Sequence, residues 1–130
     1  ILADDIYGRL VYNGHEFVPI SSLSEAIRKQ TIVINGVSKA YAMTGWRVGY
    51  AVGDPEIIAA MSKLTGQTTS NLTAVSQYAT IEALTGPQDS VETMRQAFEE
   101  RLNTIYPLLC QVPGFEVVKT ARSFSTSSQM

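Results

Sequence analysis

Three short apolar runs stand out along the chain, and each is closed by polar or small residues. Residues 1–3 (ILA) end at Asp4 and Asp5 and read as the end of a buried strand. Residues 31–37 (TIVINGV) are rich in β-branched side chains and predict a strand buried on both faces. Residues 48–52 (VGYAV) predict another. Between the first two runs, RLVYNGHEF sets Asn13-Gly14 among apolar and aromatic residues, a hairpin signal. Ser22 and Glu25 have the spacing of a capping box, which predicts a short helix ending near Lys29.

Helical spacing takes over from Asp54. Asp54 as cap and Pro55 at the first position open a helix that Gly66 should stop. Its Ile57, Ile58, Met61 and Leu64 share one apolar stripe. A second helix is predicted over residues 72–84, stopped by Gly86-Pro87 and carrying Val75, Tyr78, Ala79 and Ile81. A third, capped by Asp89 or Ser90, repeats Val91, Met94, Phe98, Leu102, Ile105 and Leu109 and should end at Pro113-Gly114. FEVV (residues 115–118) predicts a strand. The Ser/Thr-rich tail, residues 119–130, has no period and is expected to be disordered or loosely attached. The succession of strands and helices predicts an α/β fold, with Gly86-Pro87 as the domain boundary.

Composition narrows the classes. Hydrophobic residues make up 45% and charged residues 17%, enough for a packed core. A net charge of -2 without a basic run does not suit nucleic acid. One cysteine, Cys110, makes no internal disulfide, and with the lone His15 it makes no metal cluster. Cys110 is expected to be a small buried or part-buried apolar residue on its helix, and His15 to be exposed in a turn. No apolar run is long enough to span a membrane, and ILADD has no signal-peptide pattern. A cytoplasmic protein is expected. The strand-like opening without Met leads us to expect a piece of something longer.

One lysine needs an explanation. In SKAYAMTGWRVGY (residues 38–50), Lys39 follows directly on the apolar run expected to be a buried strand, with no carboxylate close in sequence. A buried ammonium is costly unless it is paired or chemically modified. Two strands joined through a helix imply a parallel pair, and such sheets bind ligands beyond the carboxyl ends of their strands. Asp4 lies just past the first strand and Lys39 just past the second; Arg47 lies on the return to the third. Tyr7 adds a phenol near Asp4. An amine, a carboxylate, a phenol and a guanidinium at one edge suit pyridoxal 5'-phosphate. Its aldehyde condenses with a lysine, its ring nitrogen needs a carboxylate, its ring oxygen takes a phenol, and its phosphate takes an arginine.

ADDIYGRLVY followed by NGVSKAYAMTGWRVGYAVG resembles the central part of the fold type I pyridoxal-phosphate aminotransferases, and among them the class I aspartate aminotransferases of bacteria. The resemblance covers about residues 1–119 and rests on Ser-Lys with Arg eight positions after the lysine, preceded by Asp-x-x-Tyr. It implies that Lys39 is the catalytic Schiff-base lysine and the base that moves the α-proton. Asp4 would hold the ring nitrogen, Tyr7 the ring oxygen, and Arg47 and Ser38 the phosphate. Many relatives also carry a serine three residues before the lysine, where this chain has Gly36. The resemblance further implies an incomplete PLP-binding large domain over residues 1–87 and the long helix and first strand of a small domain over 88–118. Residues 119–130 depart from the family. The family's phosphate loop and its substrate-carboxylate arginine have no counterpart here. The implied function is transfer of an amino group between an amino acid, with aspartate foremost, and a 2-oxo acid, in a homodimer. This chain alone is expected to be a truncated, inactive piece. Two other functions fit the same residues: another fold type I enzyme such as a carbon–sulfur lyase, and a non-catalytic, self-associating remnant.

Overall fold

Leu2–Asp4 (β1) and Ile32–Gly36 (β2) pair in parallel, with Asp4 opposite Ile34. The computed structural model describes residues 1–122. Gly49–Val52 (β3) returns antiparallel on the other side of β2, with Gly36 opposite Gly49. The sheet order is therefore β1-β2-β3, a mixed sheet with β2 in the middle. The carboxyl ends of β1 and β2 and the amino end of β3 lie at one edge.

The crossover from β1 to β2 carries a 3-10 turn over Ile20–Ser22 and a short helix, Glu25–Lys29 (α1). Its cap is Ser24, whose hydroxyl accepts the Ile27 N–H at 3.2 Å. The capping-box expectation at Ser22 is thus displaced by two residues. The Ser22 hydroxyl instead donates to the Pro19 carbonyl at 2.7 Å, closing the preceding turn.

Three helices follow β3: Pro55–Thr68 (α2), Ala74–Thr85 (α3) and Asp89–Leu109 (α4). Asp54 caps α2 by accepting from the Glu56 and Ile57 N–H groups at 2.9 and 3.4 Å. α2 continues past Gly66, because one glycine costs a helix only about 1 kcal/mol. Thr73 caps α3. Gln88, rather than Asp89 or Ser90, precedes α4 at the cap position, and its side chain makes no capping bond. α4 ends at Leu109, before Pro113-Gly114. Pro107 sits in its last turn and removes one backbone donor there.

The core is small and lies beside the sheet edge. Leu10, Tyr12, Val37, Ala40, Val48 and Val91 are buried, with Thr31 and Ser76. The expectation of strands buried on both faces is not met among the described residues. β2 is half-buried along most of its length, and Leu2 of β1 is 74% exposed. A sheet of three strands with few helix contacts leaves its faces open. Exposed apolar residues also line α2 and α3, among them Leu64, Val75 and Tyr78. Cys110, expected to be buried or part-buried, is exposed at the end of α4.

The Asn13-Gly14 turn forms, with both residues at positive φ, as a tight two-residue reversal requires. It does not extend into a hairpin. Val11 pairs instead with Arg122, and the Tyr12 N–H donates to the Ala121 carbonyl at 2.9 Å. Residues 121 and 122 are therefore attached to the body, in contrast to a loose tail; residues 123–130 of that expectation lie outside the described residues. Residues 115–118 form no strand, since no neighbour lies alongside to pair with them among the described residues. α4 docks on the same turn. Glu99 accepts the Asn13 N–H at 2.8 Å, and Arg95 donates to the Val11 carbonyl at 3.2 Å and to Glu99 at 2.5 Å.

Candidate functional site

The five candidate residues sit in three segments that meet at the shared strand edge. Asp4 is the last residue of β1, and its carboxylate accepts the Ile6 N–H at 3.2 Å, which turns the chain away from the sheet. That turn continues through Gly8 N–H to Asp5 carbonyl and Leu10 N–H to Tyr7 carbonyl, both at 2.9 Å. Tyr7 is thereby placed half-buried beside the edge.

The second segment begins where β2 stops. Val37 is fully buried and fixes the start of the loop. Tyr41 N–H donates to Val37 carbonyl and Ala42 N–H to Lys39 carbonyl, each at 3.2 Å, so Ser38 and Lys39 ride on one tight turn. Lys39 is exposed. Its ammonium lies 5.6 Å from the centre of the Tyr7 ring, a cation–π distance.

The third segment is a 3-10 turn over Thr44–Trp46, after which Arg47 adopts a left-handed conformation with φ 57° and ψ 48°. A non-glycine residue pays roughly 1–2 kcal/mol for that geometry. Two hydrogen bonds hold it there. The Arg47 guanidinium donates to the Thr44 carbonyl at 3.2 Å, and the Thr44 hydroxyl donates to the Ser38 carbonyl at 3.1 Å. Arg47 and Ser38 are thus parts of one closed loop.

The structure therefore joins Lys39 to Tyr7, and Ser38 to Arg47 through Thr44. Asp4 shares their edge through the register of β1 on β2. Among the described residues, Asp4, Lys39 and Arg47 make no salt bridge to one another. Gly36, the position of the missing serine, is tightly enclosed. A Cβ there would stand 2.7 Å from the Val48 carbonyl oxygen and 3.2 Å from an Ile6 methyl group.

Sequence reasoning passed over Thr44, Arg9, Gln88 and the Tyr41 hydroxyl. Arg9 and Tyr41 each stand two residues beyond a candidate, Tyr7 and Lys39 respectively. The Tyr41 hydroxyl and the Arg9 guanidinium both reach the Gln88 amide oxygen, at 3.1 and 2.9 Å. No sequence signal marked Gln88, because Asp89 and Ser90 beside it offered better caps for α4. Two clefts, of 460 and 260 Å³, meet at Ala40 and Tyr41 behind the loops. Burial raises the Tyr50 phenol above its ordinary pKa, and the neighbouring Tyr41 adds to the rise while Arg9 opposes it.

The chain is 75% identical over 124 residues to the asparagine–oxo-acid transaminase of Streptococcus mutans, a match covering 95% of this chain and 32% of that protein. It is 59% identical to the aspartate aminotransferase of Bacillus sp. strain YM-2, with the same coverage of each. The crystal structure of the aspartate aminotransferase from Rhizobium meliloti superposes with a TM-score of 0.90 at 40% identity, over 95% of this chain and 31% of that one. The chain spans about a third of the length of the curated relatives it matches. The profile described as aminotransferase class I and II matches residues 1–127, and the chain belongs to that family.

Proposed function

We propose that this chain is the lysine-bearing part of a pyridoxal 5'-phosphate-dependent aminotransferase. It would move an amino group between an amino acid and a 2-oxo acid. The carrying observation is the placement of the Lys39 ammonium on the Tyr7 ring, at the edge that Asp4 and the Arg47 loop share. The donor set fits the cofactor group by group. Lys39 would hold the aldehyde carbon, Asp4 the ring nitrogen, Tyr7 the ring oxygen, and Arg47 with Ser38 the phosphate. Gly36 adds no phosphate contact, since its surroundings leave no room for a side chain.

When bound, the cofactor supplies an electron sink that acidifies the substrate α-carbon. The chain's own groups do the rest. Lys39, exposed at the edge, takes and returns a proton at Nζ. Asp4 holds a positive charge opposite its carboxylate, and Tyr7 donates from its hydroxyl. The relatives' names favour amino transfer over carbon–sulfur cleavage, and they point to aspartate or asparagine as amino donor.

The 130 residues on their own are proposed not to transaminate. Lys39 and Arg47 are open to solvent, and positioning in such reactions is worth roughly 7–11 kcal/mol of barrier. A homodimer built through the exposed apolar residues of α2 and α3 is part of the proposal; Leu64, Val75 and Tyr78 are 66, 69 and 75% exposed. No helix among the described residues is long and apolar enough to cross a membrane. A cytoplasmic location is part of the proposal.

The test is borohydride reduction of the full protein carrying this chain, after incubation with pyridoxal phosphate, followed by peptide mapping. The pyridoxyl group is expected on Lys39, with turnover of aspartate or asparagine against 2-oxoglutarate. Attachment to another lysine overturns the proposal.

A further inference from the structure

We infer that Gln88 is a positioning residue for Lys39, acting as a bridge between the loop that carries the lysine and the loop that carries Tyr7. The inference rests on the reading of Lys39 as the cofactor lysine and extends it to a residue between α3 and α4.

The side chain of Gln88 is fully engaged. Its amide oxygen accepts from Arg9 Nη1 at 2.9 Å and from the Tyr41 hydroxyl at 3.1 Å. Its amide nitrogen donates to the Ala83 carbonyl at 3.0 Å and to the Gly86 carbonyl at 2.7 Å. The network fixes the orientation of the amide. A flipped group would set its NH2 against a guanidinium and its oxygen against two carbonyls. None of these bonds caps α4, although Gln88 holds the cap position.

The two residues on the amide oxygen belong to the two loops of the site. Arg9 follows Tyr7 by two residues, and its guanidinium also lies 5.7 Å from the centre of the Tyr41 ring. Tyr41 follows Lys39 by two, within the turn closed by Tyr41 N–H to Val37 carbonyl. Gln88 thus joins the loops on one side, and the Lys39–Tyr7 contact joins them on the other. If the bridge is removed, the two loops lose a common support and the ammonium loses its fixed place on the ring. The carbonyls of Ala83 and Gly86 tie that support to the end of α3.

The test is trace acetylation of the full protein carrying this chain, without cofactor, by a substoichiometric amount of acetic anhydride. Mass spectrometry reads the labelling of Lys39 relative to Lys63, an exposed lysine of α2 in the same molecule. An ammonium held on a ring must leave it before reacting, so Gln88→Leu is expected to raise the Lys39 to Lys63 ratio about threefold. Gln88→Glu keeps an acceptor for both Arg9 and Tyr41 but turns its second oxygen towards the Ala83 and Gly86 carbonyls, so it should raise the ratio less than Gln88→Leu does. Tyr41→Phe, which deletes one of the two bonds, should raise the ratio by less. An unchanged ratio in Gln88→Leu overturns the inference. So does an equal rise in Gln88→Glu, since the bonds to Ala83 and Gly86 would then carry the effect. Should Gln88→Leu not fold, judged by circular dichroism, Tyr41→Phe decides by the same criterion. The ratio does not depend on which lysine takes the cofactor. A pyridoxyl group mapped elsewhere therefore removes the functional reading without touching the acetylation result.

Discussion

The ammonium of Lys39 rests 5.6 Å from the centre of the Tyr7 ring, so the loop after β2 leans on the loop after β1. The contact separates two roles for Tyr7. Its ring supports the lysine, and its hydroxyl makes no hydrogen bond among the described residues. Tyr7→Phe keeps the ring and removes the donor. It is expected to weaken cofactor binding by the full protein about tenfold, the worth of one hydrogen bond. Tyr7→Ala should weaken it further. Equilibrium dialysis reads both, and equal affinity in all three proteins would remove Tyr7 from the site.

Gly36 has no space for a side chain. A Cβ would meet the Val48 carbonyl at 2.7 Å, and that oxygen belongs to backbone that cannot swing aside. Gly36→Ser should therefore destabilise the fold by about 1–3 kcal/mol rather than add a phosphate contact. Urea denaturation measures the loss. A serine variant with unchanged stability and tighter phosphate binding would contradict this.

The docking of α4 on the Asn13 turn should respond to acid. The Arg95 hydrogen bond lowers the Glu92 carboxyl from 4.5 to about 2, with a further contribution from Gln96. Glu99 is also lowered, first by Arg95 and then by the Asn13 N–H. A carboxyl with a depressed folded-state pKa contributes stability above its unfolded value and loses it as pH falls through the folded one. For Glu92 the contribution is thus complete above about 4.5 and fades towards about 2, and for Glu99 it fades in the same direction. Thermal unfolding of the native chain should fall more steeply towards acid than that of Glu99→Gln. Parallel curves for the two would refute the clamp.

Asp54 holds the first turn of α2 through two backbone N–H groups. Asp54→Ala should cost about 1 kcal/mol and Asp54→Asn less, because asparagine caps nearly as well. Chemical denaturation distinguishes the two; an equal loss would show that the charge, not the cap, matters.

Much of this was legible in the residues themselves. The parallel pairing of β1 with β2, the return of β3, the cap at Asp54 and the Asn13-Gly14 turn follow from local patterns, and local patterns are what a sequence displays. The meeting of Lys39 with Tyr7 was legible only in outline, as two strand ends at one edge. The Gln88 bridge was not legible, because it depends on how α3 delivers its end to loops far away in sequence. Burial was misjudged at residues 1–3 and at Cys110 for a related reason. An apolar run announces that something should cover it, but not whether these 130 residues supply the cover.

The central place of β2 also bears on the order of events as the chain folds. β2 has a partner on each edge, one reached through the α1 crossover and the other through the Lys39–Arg47 loop. Non-local pairings form late, since their loops must close first. The β2–β3 pairing closes the shorter loop, and it alone carries Ser38, Lys39 and Arg47 together. Tyr7 and Asp4 arrive only when β1 is added. A chain refolding from the unfolded state is therefore expected to order its lysine loop first and to bring Tyr7 against it only as β1 joins the sheet.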